Sequence, residues 1–418
     1  MGGEKVMGEK KIFIGLVNLA TMLTDFRNAF KKLGADTLTA SHGDDHPADA
    51  GAVDYDFSKY DTRMFTPVRP LWFREWLRDR QHIRKKVWRK ALKECDTFIF
   101  IWSTFNRDFS DYAELKKRGK KVITVFCGDD VRWHYGQEQE LKKFGLRPIE
   151  YEKEYDYSTT GLNKRLYFLR TAEKYSDFIF SRLDQAQLQL RPYHRWNMMA
   201  FTDNFEHKPE QRATNPIIAH APTLRKVKGT EYVLNAFEKL KNEGIEFTPL
   251  LIENVPNTKA IEMYSNADIL IDQLIIPGTG KLATEGLALG KVVLAHMAYD
   301  KYPQKNPSEC PIVDVNPDTL YIKLKELILD FNKRKEIALK GRPYVLKYLD
   351  TGIFCRKVLD LIEGKKIEYD YFPTFFRKQF IPESEDAKIL YNQWTSTLTN
   401  CDWYKKHVSP GERAGLIF

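Results

Sequence analysis

The chain has 418 residues, 43% hydrophobic and 13% aromatic, enough for one large or two medium domains with real cores. That excludes a disordered or low-complexity protein. Lys and Arg number 66 against 57 Asp and Glu, for a net charge of +9. Between Arg63 and Lys93 there are 11 basic residues against 2 acids, Glu75 and Asp79. That stretch alone accounts for the excess, which argues against a surface that coats nucleic acid uniformly.

Five cysteines (Cys95, Cys127, Cys310, Cys355, Cys401) are scattered without a CxxC pair, so neither a disulfide scaffold nor a zinc module is expected. A reducing compartment follows. No run reaches the roughly 20 apolar residues of a membrane span. Lys10-Lys11 and the apolar Ile12 to Leu23 are followed by Asp25 and Arg27, not by a small-residue cleavage site. They read as a first buried strand rather than a signal peptide, and a cytoplasmic protein is expected.

Apolar runs alternate with helical stretches along the chain. Strands are predicted at Ile12–Val17, Thr97–Trp102, Val122–Phe126 and Phe178–Ser181. Helices are predicted at Asp25–Leu33, Tyr112–Arg118 and Leu162–Lys174, the first two closed by Gly34 and Gly119. The polar segment Glu206–Asn215 reads as a linker. The pattern then restarts with strands at Pro216–Ala221, Phe247–Ile252, Ile269–Asp272 and Val292–Ala295, and helices at Thr230–Asn242, Lys259–Ser265 and Ala283–Leu289. Helices follow from Asp318. This grammar implies an α/β protein of two Rossmann-like, doubly wound domains facing across a cleft. The expected division is a first Rossmann-like domain at 1–205, a linker at 206–215, a second Rossmann-like domain at 216–364 and a C-terminal helical extension at 365–418.

The most informative segment runs from Asp268 to Ala295: strand, Pro277-Gly-Thr-Gly280 loop, helix, Gly290, strand. Gly278, Thr279 and Gly280 let backbone amides approach a ligand, and the helix that follows, beginning near Lys281, suits an anion such as a diphosphate. Glu285 lies about a turn inside that helix, where it would accept hydrogen bonds from sugar hydroxyls. The bland alternative is a glycine turn followed by a surface glutamate. After the strand at Pro216–Ala221, Arg225 and Lys228 stand on a loop before a helix, where two cations would neutralise a diphosphate.

Here the residues resemble the GT-B glycosyltransferases that use nucleotide sugars in bacterial glycan assembly. Thr284-Glu285-Gly-Leu-Ala-Leu-Gly290-Lys-Val-Val is similar to that family's Glu-containing signature, and Lys228-Gly229-Thr230 to its Arg/Lys loop. Phe126-Cys-Gly-Asp-Asp-Val-Arg132 resembles a turn found in some members. The resemblance covers most of Lys11–Leu349, and it implies an acceptor-side domain at 1–205, a nucleotide-sugar donor-binding domain at 216–364 and an extension at 365–418 that packs back on the first domain. It implies a hexosyltransferase with Arg225, Lys228, Gly278, Thr279, Gly280 and Lys281 at the donor diphosphate and Glu285 at the ribose. A UDP- or GDP-sugar donor and a glycan or lipid-linked acceptor are expected. Many retaining members carry a second glutamate eight residues earlier, where this chain has Pro277, so retaining and inverting outcomes both stay open.

Catalytic candidates are Asp129, Asp130 and His134, with Arg132, after the strand ending at Phe126. The alternative is that Asp130 caps a turn and pairs with Arg132. His42, His46 and Asp44-Asp45 form a polar loop without metal-ligand spacing. No metal or other cofactor is expected, and Asp54-Tyr-Asp56 reads as a solvated loop. The stretch Leu71–Leu92 reads as a helix, with Trp72, Trp76, Ile83, Val87 and Ala91 inward and Arg74, Arg78, Lys85, Arg89 and Lys93 outward. The outward face offers peripheral contact with anionic lipid at the inner side of a membrane. Two rivals to the transferase are a nucleotide-sugar epimerase of the same fold and a nucleic-acid-binding protein using residues 63–93 with Trp72, Trp76 and Trp88. The second rival leaves the Gly-Thr-Gly and Arg225/Lys228 segments without a role, so no nucleic-acid partner is expected.

Overall fold

A computed structural model describes residues 11–42, 53–60, 82–147, 159–299, 308–371 and 384–414. The chain divides into two compact units. One comprises Met1–Gln137, Asp156–Trp196 and Phe354–Phe418, the other Glu138–Tyr155 and Asn197–Ile353.

The first part of the chain forms β1 (Lys11–Leu16), α1 (Met22–Lys32), β2 (Asp36–Ser41), β3 (Tyr55–Asp56), α2 (His82–Glu94), β4 (Thr97–Ile101), α3 (Ser110–Lys117), β5 (Lys121–Val125), α4 (His134–Lys143), α5 (Thr159–Tyr175), β6 (Phe178–Ser181) and β7 (His194–Arg195). Its parallel sheet has the order β3-β2-β1-β4-β5-β6-β7. All five residues of β4 are buried, as a strand covered on both faces requires, so its sequence is a run of apolar residues without alternation. Phe13, Phe98, Phe100 and Phe105 cluster in the core, which Tyr391, Leu398, Cys401 and Tyr404 also join.

The second part forms β8 (Ile217–His220), a one-turn helix α6 (Arg225–Lys228), α7 (Thr230–Asn242), β9 (Thr248–Leu251), α8 (Asn257–Ser265), β10 (Ile269–Ile271), α9 (Lys281–Leu289), β11 (Val292–Ala295), β12 (Val313–Asp314), α10 (Leu320–Leu329) and α11 (Phe331–Tyr348). The sheet order is β12-β11-β10-β8-β9, again parallel. Pro249 lies in β9, an edge strand, where a missing N–H is tolerated. The last helices are α12 (Thr351–Ile362), α13 (Glu385–Thr399), α14 (Asp402–His407) and α15 (Pro410–Ala414).

Both sheets are the doubly wound type that the sequence predicts. In the first, β2 and β4 lie on opposite sides of β1; in the second, β9 and β10 lie on opposite sides of β8. Connections that leave a sheet in opposite directions open a crevice at the strands' carboxyl ends. The helix at Thr230–Asn242 and the strand at Val292–Ala295 have the predicted limits. Arg225 and Lys228 stand on a helical turn rather than a loop, and His134 opens α4 rather than lying in a loop. Residues 206–215 lie in the second unit, where Arg212 pairs with Asp268 at 2.9 Å. The predicted helix at Leu71–Leu92 is seen from His82 onward; Arg63, Arg74, Arg78, Trp72 and Trp76 lie outside the described residues.

Helix α9 is buried from Leu282 to Leu289, with Glu285 as its one buried charged residue. Helix α11 packs on it so closely that a Cβ at Gly341 would stand 2.8 Å from the Leu287 carbonyl oxygen. Gly341→Ala gains about 1 kcal/mol of helix propensity, but the obstacle is backbone, which cannot rotate away. Overpacking of about 1–3 kcal/mol wins. Net destabilisation in urea denaturation is the expected outcome, and a stabilised variant would refute the close packing.

Candidate active site

The carboxyl ends of β8 and β10 bring two distant segments together. After β8, the turn of α6 carries Arg225 and Lys228 and ends at Gly229, whose φ of +74° requires glycine. After β10 come Asp272, Gln273 and the Gly278-Thr279-Gly280 turn. The two segments are tied by Leu274 N to the Lys228 carbonyl at 3.2 Å. His220, at the end of β8, bonds Thr230 Oγ1 at 3.0 Å and the Ile271 carbonyl at 2.8 Å. Burial lowers its pKa, with the Ile271 bond opposing.

At the centre lies Asp272, fully buried. Its Oδ1 accepts from Lys228 Nζ at 2.6 Å, and its Oδ2 from the Ala283 amide in the first turn of α9 at 3.2 Å. A carboxylate at a helix amino terminus is favoured by the unsatisfied amides and the dipole there. A Cβ on Gly280 would stand 2.2 Å from Asp272 Oδ2, so this glycine is required by the carboxylate behind it. Gln273 accepts from Lys228 Nζ at 3.2 Å and donates to the Gly278 carbonyl at 2.8 Å.

The predicted donor residues are sorted by this geometry. Lys228, Gly278, Gly280, Lys281 and Glu285 converge on the start of α9, and Thr279 is the half-exposed residue of the turn. The Gly278 amide is spent on the His296 carbonyl at 2.8 Å, so this residue contributes its φ of +110° rather than a donor for a ligand. Lys281 bonds the Met199 carbonyl at 2.8 Å and lies 3.9 Å from Glu285. Glu285 is buried at 3% exposure, not a surface residue, and accepts a bond from the Tyr264 hydroxyl. Burial and the Glu285 charge raise the Tyr264 pKa well above its usual value. Arg225 is the exposed member: its guanidinium grips Glu253 at 2.8 and 2.6 Å and reaches Glu231 at 3.1 Å.

In the first unit, the turn after β5 places the three catalytic candidates in different roles. Asp130 accepts from the Cys127 amide at 3.1 Å and the Gly128 amide at 2.7 Å. It caps the turn as one alternative expected. Arg132, however, pairs not with it but with Asp129 at 2.6 Å and Asp184 at 3.4 Å. Burial raises the Asp130 pKa to about 7 against the lowering effect of those amides. Burial also pushes the Asp184 carboxyl up, but Arg182 and Arg132 outweigh it and leave the group below its ordinary range. His134 is buried, with Nε2 3.8 Å from Asp129 Oδ1. Asp129 keeps 29% of its side chain exposed.

Asp54 accepts from the Thr39 amide and hydroxyl at 2.8 and 2.9 Å, and Asp56 from the Ser58 amide at 3.0 Å. Both carboxylates thus hold local structure around β3. His42 is described below; Asp44, Asp45 and His46 lie outside the described residues.

No family profile and no curated protein sequence matches this chain. Solved structures do. Sucrose-phosphate synthase from Thermosynechococcus elongatus superposes with a TM-score of 0.55 at 11% identity, covering 85% of this chain and 98% of that one. A candidate UDP-N-acetylglucosamine 2-epimerase from Listeria monocytogenes gives 0.52 at 12%, with 88% and 100% covered. HepE of Anabaena, solved with UDP-glucose, gives 0.50 at 12%, with 85% and 99% covered. The chain has the GT-B fold. Of its candidate GT-B site, the Asp272–Lys228 pair and the Tyr264 support for Glu285 were not read from sequence. An Asp directly after a buried strand was the available signal for the first; nothing local marks the second.

Because the Asp130 pKa in the fold lies above the unfolded value near 4, the native state binds more protons between about pH 4 and pH 7. Its contribution is therefore present in acid and lost as pH rises through that window, by up to about 1.4 kcal/mol per pH unit. Asp130→Asn removes the titration. Urea denaturation at about pH 5 and about pH 8 is expected to show a smaller loss of stability for the variant than for the native protein. Equal losses would refute the raised pKa.

Proposed function

We propose that this protein is a glycosyltransferase that takes a sugar from a UDP- or GDP-linked donor and passes it to a glycan or lipid-linked glycan in polysaccharide assembly, without a metal. The observation that carries this reading is the meeting of Lys228, the Gly278–Gly280 turn, the start of α9 and Glu285 at one sheet's switch point. An ammonium has three donors. Lys228 spends two, on Asp272 and Gln273, and the third is left for a phosphate oxygen. The Thr279 and Gly280 amides and Lys281 lie alongside, Arg225 adds an outer positive charge, and Glu285, set in place by Tyr264, is the residue for the ribose hydroxyls. HepE, which shares the fold, was solved with UDP-glucose, and this supports a uridine diphosphate sugar as the first donor to try.

Of the catalytic candidates, Asp129 is the one whose carboxylate is partly exposed and not engaged by turn-capping amides. It would serve an acceptor hydroxyl as base, with Arg132 and His134 holding it. Asp130 and His134 then act through structure rather than by touching substrate. The exposed Lys85, Lys86, Arg89 and Lys93 of α2 would give a lipid-linked acceptor's membrane a basic face. A second reading, a nucleotide-sugar epimerase, is favoured by the likeness to the Listeria epimerase candidate. Donor consumption that requires an added acceptor separates the two.

Calorimetry with UDP and GDP tests the donor site. Lys228→Ala would leave Asp272 buried and unpaired, at a cost of about 3–5 kcal/mol to the fold, and so confuses binding with stability. The double variant Lys228→Met with Asp272→Asn removes both charges together. It is expected to fold and to bind the nucleotide about tenfold or more weakly. Glu285→Gln is expected to weaken nucleotide binding itself, not only turnover. Native affinity in both variants would remove this site from donor binding.

Turnover is expected to survive excess EDTA, because the Lys228 ammonium and the α9 terminus supply positive potential at the diphosphate. Loss of activity on chelation, restored by Mg²⁺ or Mn²⁺, would overturn the metal-free reading.

A further inference from the structure

At the carboxyl end of β4 the first unit makes a turn that packing does not call for. Leu16 of β1 pairs with Ile101 of β4, and Trp102 is the next residue, one step past the paired strands. Side chains along a strand alternate between faces, so Trp102 belongs by position with Phe98 and Phe100, which are core residues. It is not among the residues of that core. Its φ is +64°, and the Ser103 amide donates to the Ile101 carbonyl at 2.7 Å. That closes a three-residue γ-turn of positive φ, the rare and strained form. Glycine would make the same turn without steric cost. The half-buried indole that stands there instead makes no hydrogen bond and no ring contact among the described residues.

The same turn aims Ser103. Arg84 is 5% exposed; its Nη1 lies 2.7 Å from His42 Nδ1, and His42 Nε2 lies 2.9 Å from Ser103 Oγ. A guanidinium only donates, so His42 Nδ1 accepts, Nε2 carries the proton, and the hydroxyl of Ser103 receives it. That is the reverse of what activates a serine nucleophile, in which the imidazole accepts from the hydroxyl. Ser103 therefore keeps its own proton to donate, and no described residue accepts it. Two successive residues thus hold unspent donors, an indole N–H and a hydroxyl, beside an aromatic ring.

Their place in the sheet is the one where a ligand is expected. Strands β2 and β4 flank β1, and a doubly wound sheet takes its ligand at the carboxyl ends around such a switch point. An aromatic ring with two directed donors and no required charge suits a neutral, hydroxyl-rich ligand with a flat C–H face. A pyranose ring has that form. A nucleic-acid strand requires several stacking platforms in succession, and the turn offers one.

We propose that Trp102 and Ser103 form a pyranose-binding site in the first unit, with the sugar's C–H face on the indole and a sugar oxygen on the Ser103 proton. The strain of the turn is then held where it serves binding. Use of the site for the acceptor rests on the glycosyltransferase reading; the sugar binding itself does not.

Methyl glucopyranoside, methyl galactopyranoside and methyl mannopyranoside are titrated by ligand-observed NMR into the full chain saturated with UDP, so that the second unit's site is filled. Sorbitol, which has the hydroxyls but no ring face, is the control. At least one glycoside is expected to bind at millimolar concentration and sorbitol not. Trp102→Gly removes the indole while suiting the turn and is expected to abolish binding. Trp102→Phe is expected to keep part of it, and Ser103→Ala to weaken it about fivefold. These two variants carry the test if Trp102→Gly does not fold. UDP affinity is expected to be unchanged throughout. The proposal is wrong if no glycoside binds, if sorbitol binds equally, or if the variants bind as the native protein does. A loss of UDP affinity in Trp102→Gly would give the indole to the nucleobase and overturn the pyranose assignment. If UDP fails to bind the native chain while a glycoside binds in a Trp102-dependent way, the transferase reading falls and the sugar site stands.

Discussion

A carboxylate with no exposure to water must be compensated or the fold does not hold, and in the second unit Asp272 is such a group. Its demand for partners explains several neighbours at once. Lys228 is drawn to it from the turn after β8, and the first turn of α9 is aimed at it from beyond the glycine turn. Gly280 is glycine because the carboxylate occupies the space of a Cβ, and Gln273 completes the shell around the ammonium. The three segments proposed for a diphosphate are held to one another by protein contacts through Asp272, and groups fixed by their own packing lose less entropy on binding.

The same carboxylate also limits how positive the site is. A helix terminus and one lysine attract an anion, but a full negative charge stands between them. In the proposed donor site the remaining attraction would come from directed donors rather than from net charge: the third Lys228 proton and the Thr279 and Gly280 amides. Arg225, paired with two glutamates at the surface, adds little field in water. Site affinity built this way depends on geometry more than on ionic strength.

Much of this architecture was legible from periodicity and glycine punctuation. Fully buried strands such as β4 and β11 announce themselves as apolar runs, and Gly34, Gly119, Gly244 and Gly290 close their helices at positive φ. What stayed hidden was short, polar or long-range. Strands β3, β7 and β12 have two residues each and no pattern to read. Helix α4, HYGQEQELKK, lacks an apolar stripe. Lys228 and Asp272 are 44 positions apart, and only the adjacency of β8 and β10 brings them together. Arg84 is the clearest miss. Within a run of basic residues it reads as solvated, yet it is buried because His42, 42 positions earlier, closes over it from the end of β2.

The two switch points also differ in how their backbones are held. In the second unit the loops beside β8 and β10 take left-handed conformations at glycines, Gly229 and Gly278, where the cost is small. In the first unit the corresponding loops use Ala20 and Thr21 after β1, and Trp102 and Phe109 after β4, all at positive φ. Bulky residues pay on the order of 1 kcal/mol or more for that conformation, and a glycine would serve the backbone better. Side chains retained at such positions are there for their own contacts. Phe109 packs on Phe168 at 4.8 Å and belongs to the core. Trp102 directly precedes Ser103, and the tight turn it makes, with Ser103 N on the Ile101 carbonyl at 2.7 Å, sets the hydroxyl that receives the His42 proton. Strain in the first unit thus lies where the chain leaves β4, and it is offset by the contacts that Phe109 and Ser103 make there.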